Sequence, residues 1–399
     1  MLVGDYFMDK DRRITMISII LWAVAVIILF SYYKVIKPSE SKATKQESVD
    51  STSYAEGEDV ADSEHEKKAK KMLNEMSLSE KVGQMFFVRC PDVNAVSVVS
   101  EYKIGAYILF AKDFADSSKE QIAAKIKSYQ DNAKIPLLIG VDEEGGTVTR
   151  VSRFTNLRQT RFKSPLELYN EGGLDAISKD TTDKCQFLSS FGINVNFAPV
   201  CDIATDQEAF IYGRTLGQNA SVTSEYVKKM VYQMNSSNMG SVLKHFPGYG
   251  NNKDTHVGSS TDDRSLDDFR ENDFLPFKAG IEAGARCILV SHNVVKCMDA
   301  TNPASLSDKV HEILRNELKY NGVIITDDLV MDAITGVTDE SKAAVKAVLA
   351  GNDMLISSSY DKQIKAVIDA VNSGEIPEDT INKSVVRILC WKMSLGLIK

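Results

Sequence analysis

The stretch GSVLKHFPGYG, residues 240–250, is the part of the chain that indicates the fold most directly. A short apolar run, residues 240–245, is typical of a buried strand, and it ends in Lys244 and His245 before a loop rich in glycine and proline. Similar apolar runs recur from about residue 66 onward, and amphipathic stretches with helical spacing separate them. The pattern therefore predicts strands that alternate with helices over most of the chain.

Strands that alternate with helices form parallel sheets with right-handed crossovers, and eight such units predict a closed (β/α)8 barrel of the TIM type. The predicted strands are residues 83–88, 105–110, 136–141, 194–200, 240–245, 287–291, 322–326 and 353–356. Amphipathic segments such as residues 118–132, 221–237 and 307–320 predict helices. An open doubly wound sheet is the alternative, and it is disfavoured because no G-x-G-x-x-G motif follows any strand. We expect an α/β fold with a single catalytic domain over residues 66–399.

Polar residues end several of the predicted strands. The third strand is followed by Asp142, the fifth ends in Lys244 and His245, the sixth is followed by His292, and the seventh by Asp327. Barrel enzymes place their chemistry at the C-terminal ends of the strands, because the loops there form one face. Since every strand must stop at something polar, each case alone has a simpler explanation. The four together predict a functional site.

Asp254 and His256 lie two residues apart in the loop that follows the fifth strand. In an extended segment, side chains at this spacing can project to the same side. A carboxylate beside an imidazole can orient the ring and support its protonated form, so the pair can act as a general acid and then as a base. A solvated Asp-x-His in a loop is the alternative interpretation.

The N-terminal region predicts a membrane anchor. Residues 14–36 are mostly apolar and long enough to cross a bilayer as a helix, and we expect residues 1–13 to form a short cytoplasmic tail. A cleaved signal peptide is the alternative, but no small-x-small cleavage site follows the apolar run. Residues 37–65 are rich in Ser, Glu and Lys, which predicts a flexible linker. The expected location is the cell membrane, single-pass, with the catalytic domain extracytoplasmic.

Composition narrows the choice of ligands. The formal net charge is −8, without a basic block, which argues against nucleic acid as a partner. The six cysteines are scattered and form no C-x-x-C pair, so a zinc motif is unsupported, and we expect no metal and no organic cofactor. Most of the cysteines lie in apolar runs and are expected to be free thiols, although Cys287 and Cys297 could pair in an oxidising compartment.

The segment LKHFPGYGNNKDTH, residues 243–256, closely resembles the K-H-F-P-G-x-G…D-x-H signature of glycoside hydrolase family 3, in its β-N-acetylhexosaminidase branch. Further motifs resemble those of the family in the same order. They are MSLSEKVGQM at 76–85, DEEGGTVTR at 142–150, GINVNFAPVCD at 192–202, NPASLS at 302–307 and GVIITDDL at 322–329. The resemblance covers nearly all of residues 70–399, and it also implies the barrel.

The resemblance implies a retaining exo-β-N-acetylglucosaminidase that releases terminal, non-reducing N-acetylglucosamine from peptidoglycan-derived sugars. It implies that Asp327 is the nucleophile and that His256, paired with Asp254, is the acid/base. The side chains expected to hold the sugar are Asp142, Arg150, Arg214, Lys244 and His245. His292 is expected to line the site.

Two departures from the family pattern bear on these assignments. Tyr249 stands where the family usually has a second histidine, and the residues before Arg214 differ from the common spacing. Arg150 and Arg214 could instead form ion pairs at the rim. Other functions also stay open: a β-glucosidase or an N-acetylglucosaminide phosphorylase of the same fold, or a non-catalytic protein that binds the cell wall.

Overall fold

The computed structural model describes residues 51–250, 260–336 and 338–399. The main folded unit comprises residues 59–399, and of the other unit, residues 1–58, only the backbone of residues 51–58 is described. The predicted cytoplasmic tail, the predicted anchor at 14–36 and residues 37–50 of the predicted linker lie outside the described residues. Within the described ranges, no helix is both long and apolar enough to cross a membrane.

Helices and strands alternate along the folded unit. The strands are β1 Phe86–Arg89, β2 Ala106–Leu109, β3 Leu138–Val141, β4 Val195–Asn196, β5 Gly240–Ser241, β6 Leu243–Phe246, β7 Thr261–Asp262, β8 Cys287–Val290, β9 Val294–Val295, β10 Val323–Thr326 and β11 Leu355–Ser357. The helices are α1 Ser51–Leu73, α2 Leu78–Gln84, α3 Ala95–Tyr102, α4 Lys119–Asp131, α5 Pro165–Ser189, α6 Ala220–Ser236, α7 Leu266–Asp268, α8 Phe274–Glu282, α9 Asp308–Glu312, α10 Asp332–Thr335, α11 Glu340–Ala350, α12 Tyr360–Asn372 and α13 Glu378–Ser394.

The strand pairings run in a ring. One parallel sheet has the order β11-β1-β2-β3-β4-β5, and a second has the order β10-β8-β6. Parallel bridges between Val200 and Lys244 and between Ile325 and Met354 join the two sheets on both sides. Because β5 and β6 are successive parts of one strand position, the ring passes through all eight predicted strands. An α/β fold with parallel strands is therefore confirmed.

The strands of this ring are buried on both faces. Every residue of β2, β3, β6, β8 and β10 is buried, as expected for parallel strands that helices cover on one side and packed side chains on the other.

Local sequence signals set several helix starts. Ser77 with Glu80, Ser118 with Gln121 and Ser164 with Glu167 form capping boxes that satisfy the first backbone N–H groups of α2, α4 and α5.

Two elements differ from their predicted bounds. The predicted first strand, 83–88, begins only at Phe86, because the helix that the Ser77 capping box starts continues to Gln84. Residues 51–65, predicted as part of a flexible linker, belong to α1, whose Ala, Glu and Lys content favours a helix. Its Glu66 and Lys70 form an i,i+4 ion pair of 2.6 Å.

The six cysteines are free thiols, so Cys287 and Cys297 do not pair.

Candidate active site

The carboxyl ends of the parallel strands lie on one side of the ring, which we call the C-terminal face. Asp142 follows β3, Lys244 and His245 lie within β6, and Asp327 follows β10. Because neighbouring parallel strands point the same way, these side chains all belong to the C-terminal face. The structure thus brings to one face four residues that the sequence predicts for the site.

An ion network lies on this face, and two of its members, Lys244 and Glu144, are buried. The Lys244 ammonium donates to Asp142 Oδ1 at 2.7 Å and lies 2.6 Å from Glu144 Oε1. The Arg214 guanidinium donates to both oxygens of Glu144, through Nε at 2.9 Å and through Nη2 at 2.7 Å. Two cations and two carboxylates therefore hold one another in place through charge-assisted hydrogen bonds.

Glu144 is the centre of the network and is 3% exposed. Burial alone would raise the pKa of the Glu144 carboxyl, but Arg214 and Lys244 beside it hold that pKa well below its ordinary value. Burial likewise opposes the charge on Arg214, and Glu144 more than compensates by raising the pKa of Arg214. Arg214 does not form an exposed ion pair at the rim, because the carboxylate of its partner, Glu144, is buried.

His245 has partners on both ring nitrogens. Its Nε2 lies 3.1 Å from Arg214 Nη2, and its Nδ1 lies 2.8 Å from Asp202 Oδ2. Since a guanidinium can only donate, Nε2 accepts, and the proton of the ring is on Nδ1 and is donated to Asp202. Asp202 also accepts the backbone N–H of Tyr249 at 2.7 Å. Burial would raise the pKa of Asp202, but His245 and these hydrogen bonds lower it.

Tyr249, the departure from the family pattern, packs against the same histidine. Its ring meets the His245 ring edge-on at 5.2 Å between centroids, and it meets the Phe210 ring at 5.1 Å. The tyrosine is buried, at 2% exposed. An aromatic side chain therefore fills this position and supports the histidine by packing.

Arg150 reaches the network from a loop that Glu143 organises. The carboxylate of Glu143, which is fully buried, accepts the backbone N–H groups of Arg150 and Val151, both at 2.8 Å. Arg150 Nη2 then lies 3.6 Å from Asp142 Oδ2, and the guanidinium lies 5.6 Å from the centre of the Phe110 ring. The loop thus directs the Arg150 guanidinium toward Asp142, and the two side chains form a partly exposed ion pair.

Asp327 and its neighbour leave β10 in different environments. Asp327 is partly exposed, and its Oδ1 accepts the backbone N–H of Asp328 at 2.8 Å. Asp328 is buried and accepts the Ser358 hydroxyl at 2.6 Å. Burial raises the pKa of the Asp328 carboxyl despite this hydrogen bond. Of the two carboxylates, that of Asp327 is the more accessible.

His292, predicted to line the site, is buried at 1% exposed. Its Nδ1 lies 2.7 Å from the Ser305 hydroxyl, and its Nε2 lies 3.1 Å from the backbone carbonyl of Asp328. A carbonyl only accepts, so Nε2 carries the proton. In these contacts His292 supports the backbone next to Asp327.

The remaining predicted residues, Asp254 and His256, lie outside the described residues. The structure describes the chain on either side of them, up to Gly250 and again from Ser260. In the described ranges, no group of three or more His, Cys, Asp or Glu side chains is placed to hold a metal ion.

The two central acceptors, Glu144 and Asp202, are not among the residues that the sequence predicts for the site. Each lies in a motif that resembles the family, at 142–150 and 192–202, and each has a signal in the sequence. Glu144 stands two residues after Asp142, and Asp202 ends the apolar segment that contains β4. Neither could be identified from the chain order alone as the partner of Arg214 or of His245, since 70 residues separate Glu144 from Arg214 and 43 separate Asp202 from His245.

Comparison with known proteins gives a consistent set of relatives. The model of the glycosyl hydrolase family 3 N terminal domain matches residues 77–390. A β-hexosaminidase from Nitrosomonas eutropha is 33% identical over 257 residues, which are 63% of this chain and 73% of that protein. The β-hexosaminidase LpqI from Mycobacterium tuberculosis is 29% identical over 330 residues, 79% of this chain and 83% of that protein.

Among solved structures, a glycoside hydrolase family 3 β-N-acetylglucosaminidase from Paenibacillus aligns with a TM-score of 0.75 at 29% identity. The alignment covers 81% of this chain and 63% of the Paenibacillus chain, so this protein spans less than two thirds of that relative.

Proposed function

The chain belongs to glycosyl hydrolase family 3 and is a glycoside hydrolase, and we propose that it is a retaining exo-β-N-acetylglucosaminidase. The observation that carries the proposal is the network on the C-terminal face, in which Asp142, Arg214 and Lys244 meet although they come from three separate motifs. The names of the two β-hexosaminidase relatives and of the Paenibacillus enzyme support the choice of an N-acetylated sugar.

In the proposed reaction, the Asp327 carboxylate attacks the anomeric carbon while His256 donates a proton to the departing glycosidic oxygen. The bond to the leaving group breaks, and a covalent glycosyl ester forms on Asp327. His256, now neutral and oriented by Asp254, takes a proton from water, whose oxygen displaces Asp327 from the same face as the original substituent. Two inversions leave the configuration retained.

We infer that the network holds the terminal sugar. A sugar presents several hydroxyls, and a buried hydroxyl without a partner costs binding free energy. The ammonium of Lys244 and the guanidinium of Arg214 are donors, and Asp142 offers a carboxylate acceptor, so the two kinds of partner lie side by side. Arg150 and His245 complete the proposed sugar contacts.

We also propose that the ring of strands is a TIM-type (β/α)8 barrel, which the parallel pairings through eight strand positions support. The apolar run at residues 14–36 supports a single-pass membrane anchor. With the catalytic domain held outside the membrane, the proposed substrates are sugars derived from peptidoglycan.

The test is release of 4-nitrophenol from its β-N-acetylglucosaminide by the full chain, with the β-glucoside run in parallel. We expect turnover of the acetamido sugar, a fall of more than about 10³-fold in kcat for Asp327→Ala, and a fall of about 10²–10⁴-fold for His256→Ala. Asp131→Ala serves as the control, because Asp131 is an exposed residue of α4 paired with Lys127. Its kcat should equal that of the unaltered chain.

Three results would contradict the proposal in different ways. Turnover of the β-glucoside alone would indicate a β-glucosidase. A rate that requires inorganic phosphate, with a sugar phosphate as product, would indicate a phosphorylase. Binding of the sugar without turnover by a folded chain would indicate a non-catalytic wall-binding protein.

A further inference from the structure

Arg264 makes an unusual set of contacts near the C-terminal face. Its guanidinium donates to the backbone carbonyl of Gly248 at 3.1 Å, to Asp273 Oδ2 at 2.8 Å and to Asp262 Oδ2 at 2.7 Å. The same group stacks on the Phe269 ring at 4.2 Å. All three acceptors and the aromatic face are thus engaged by one side chain.

These acceptors lie on both sides of residues 251–259 in the sequence. Gly248 precedes that segment, whereas Asp262, in β7, and Asp273 follow it. Gly250, the last described residue before the segment, also lies against Arg264. A β-carbon added to Gly250 would come within 2.8 Å of Arg264 Cζ. The guanidinium therefore joins the two flanks directly.

Each flank is also tied to the ring of strands. The backbone N–H of Tyr249 donates to Asp202 at 2.7 Å, and the N–H of Gly248 donates to the carbonyl of His245 at 2.8 Å. On the other side, β7 pairs with β9, and the N–H of Val294 donates to the carbonyl of Ser260 at 2.8 Å. Arg264 connects two flanks that are otherwise anchored to different strands.

We propose that Arg264 is a positioning residue for the acid/base pair: by clamping Gly248 to Asp262 and Asp273, it fixes the two flanks between which Asp254 and His256 lie. The proposal rests on the proposed function, because it assigns the acid/base role to this segment. The planar guanidinium spreads its donors over several nitrogens in a fixed fork, whereas a lysine ammonium presents its three donors from a single nitrogen and is less suited to three separate acceptors. Glycine at 250 leaves room for the guanidinium against the backbone, and glycine at 248 leaves room for the Asp273 side chain that the guanidinium binds.

A misplaced acid has a kinetic signature that a general loss of stability lacks. Phenol needs a proton as it leaves, whereas 2,4-dinitrophenol leaves as a stable anion and hardly needs the acid. In Arg264→Gln we therefore expect kcat/KM to fall about 10²-fold for the phenyl N-acetylglucosaminide and less than about threefold for the dinitrophenyl one. Arg264→Lys should lie between Arg264→Gln and the unaltered chain.

Arg270→Gln is the matched control, because Arg270 lies nearby in sequence but forms its ion pair with Glu317 at the surface. It should leave both substrates unchanged. Equal losses on both substrates in Arg264→Gln, or no loss on either, would overturn the positioning role.

Amide hydrogen exchange tests the clamp without any substrate. In Arg264→Gln, peptides that cover residues 247–262 should exchange at least about tenfold faster, while peptides from α4 should not change. Unchanged exchange at residues 247–262 would overturn the clamp. If the unaltered chain turns over neither N-acetylglucosaminide, the proposed function fails, and the exchange rates still decide whether Arg264 joins the two flanks.

Discussion

Lys392 is a fully buried lysine on α13, at the side of the molecule away from the candidate active site. Its ammonium donates to Gln84 Oε1 at 2.6 Å, and Gln84 Nε2 donates in turn to the backbone carbonyl of Lys103 at 3.0 Å. The partner is a neutral amide, so burial is not offset by a carboxylate and lowers the pKa of Lys392 from 10.5 to about 7.

The lowered pKa predicts how stability depends on pH. The unfolded chain keeps a proton on Lys392 up to a higher pH than the folded chain. The contribution of Lys392 to the free energy of unfolding therefore rises between pH 7 and pH 10 and is least favourable below pH 7. In Lys392→Met we expect this rise to be smaller by about 2–4 kcal/mol, measured by urea denaturation at several pH values. Lys365→Met, at an exposed site on α12, should keep the original pH dependence. Equal slopes in Lys392→Met and in the unaltered chain would contradict the prediction.

At the scale of elements, the junction of α2 with β2 is closed by two glycines. A β-carbon at Gly105 would lie 2.1 Å from the backbone carbonyl oxygen of Gln84, and one at Gly83 would lie 2.4 Å from that of Tyr102. The N–H of Gly105 donates to the carbonyl of Gly83 at 2.8 Å. Backbone therefore packs against backbone here, and the junction has no room for a methyl group.

Gly105→Ala should destabilise the protein by about 2–4 kcal/mol, because the clash involves a backbone oxygen that cannot turn aside as a flexible side chain does. The free energy of unfolding from urea denaturation measures this effect. Gly213→Ala is the control, since a β-carbon there would have no neighbour within 4 Å. A Gly105→Ala variant as stable as this control would show that the junction adjusts easily.

The same junction shows what the sequence pattern could and could not predict about elements. The apolar run predicts a strand from residue 83, but Gly83 and Gln84 are the end of α2. A short apolar run alone does not distinguish the end of a helix from the start of a strand. Likewise the predicted helix at 307–320 is found as α9 followed by a π-helical turn, Ile313–Glu317. A change from α-helical to π-helical hydrogen bonding within one helical stretch hardly alters the spacing of apolar residues, so the sequence does not predict it.

At the scale of the whole molecule, one buried aspartate ties together the side of the ring opposite the C-terminal face. Asp353 precedes β11 and accepts the Arg387 guanidinium of α13 at 2.9 Å and the backbone N–H of Ile324 at 2.9 Å. Arg315 forms a further ion pair with Asp353 at 2.5 Å. The carboxylate, 1% exposed, thus joins the last helix to two strands of the ring.

Asp353→Asn should lower the free energy of unfolding by about 3–5 kcal/mol, because it leaves two guanidiniums against a neutral group. Since Asp353 lies at the amino end of its strand, KM for the 4-nitrophenyl N-acetylglucosaminide should stay within about twofold. Asp369→Asn, which removes an exposed pair on α12, should cost less than about 1 kcal/mol. A raised KM in Asp353→Asn would contradict the separation of the two sides.

The sequence predicts part of the candidate site because the whole fold gathers the ends of its strands on one face. Asp142, Lys244 and His245 mark strand ends, and a parallel ring brings strand ends together whatever the loops do. Arg214 was identified only through the family motif. The roles of Glu144, Asp202 and Arg264 depend on contacts between residues distant in sequence, which no spacing along the chain encodes. The predictions for Asp254 and His256 stay predictions.

The sharing of Glu144 between Lys244 and Arg214 has a consequence for ligand affinity. The charges of the network largely cancel within it, so an uncharged ligand can enter without exchanging counter-ions with the solvent. The donors are also immobilised in advance, so little rotamer entropy remains to be lost on binding. Affinity for a neutral sugar should therefore vary little with ionic strength, whereas an anionic ligand would have to displace one of the carboxylates.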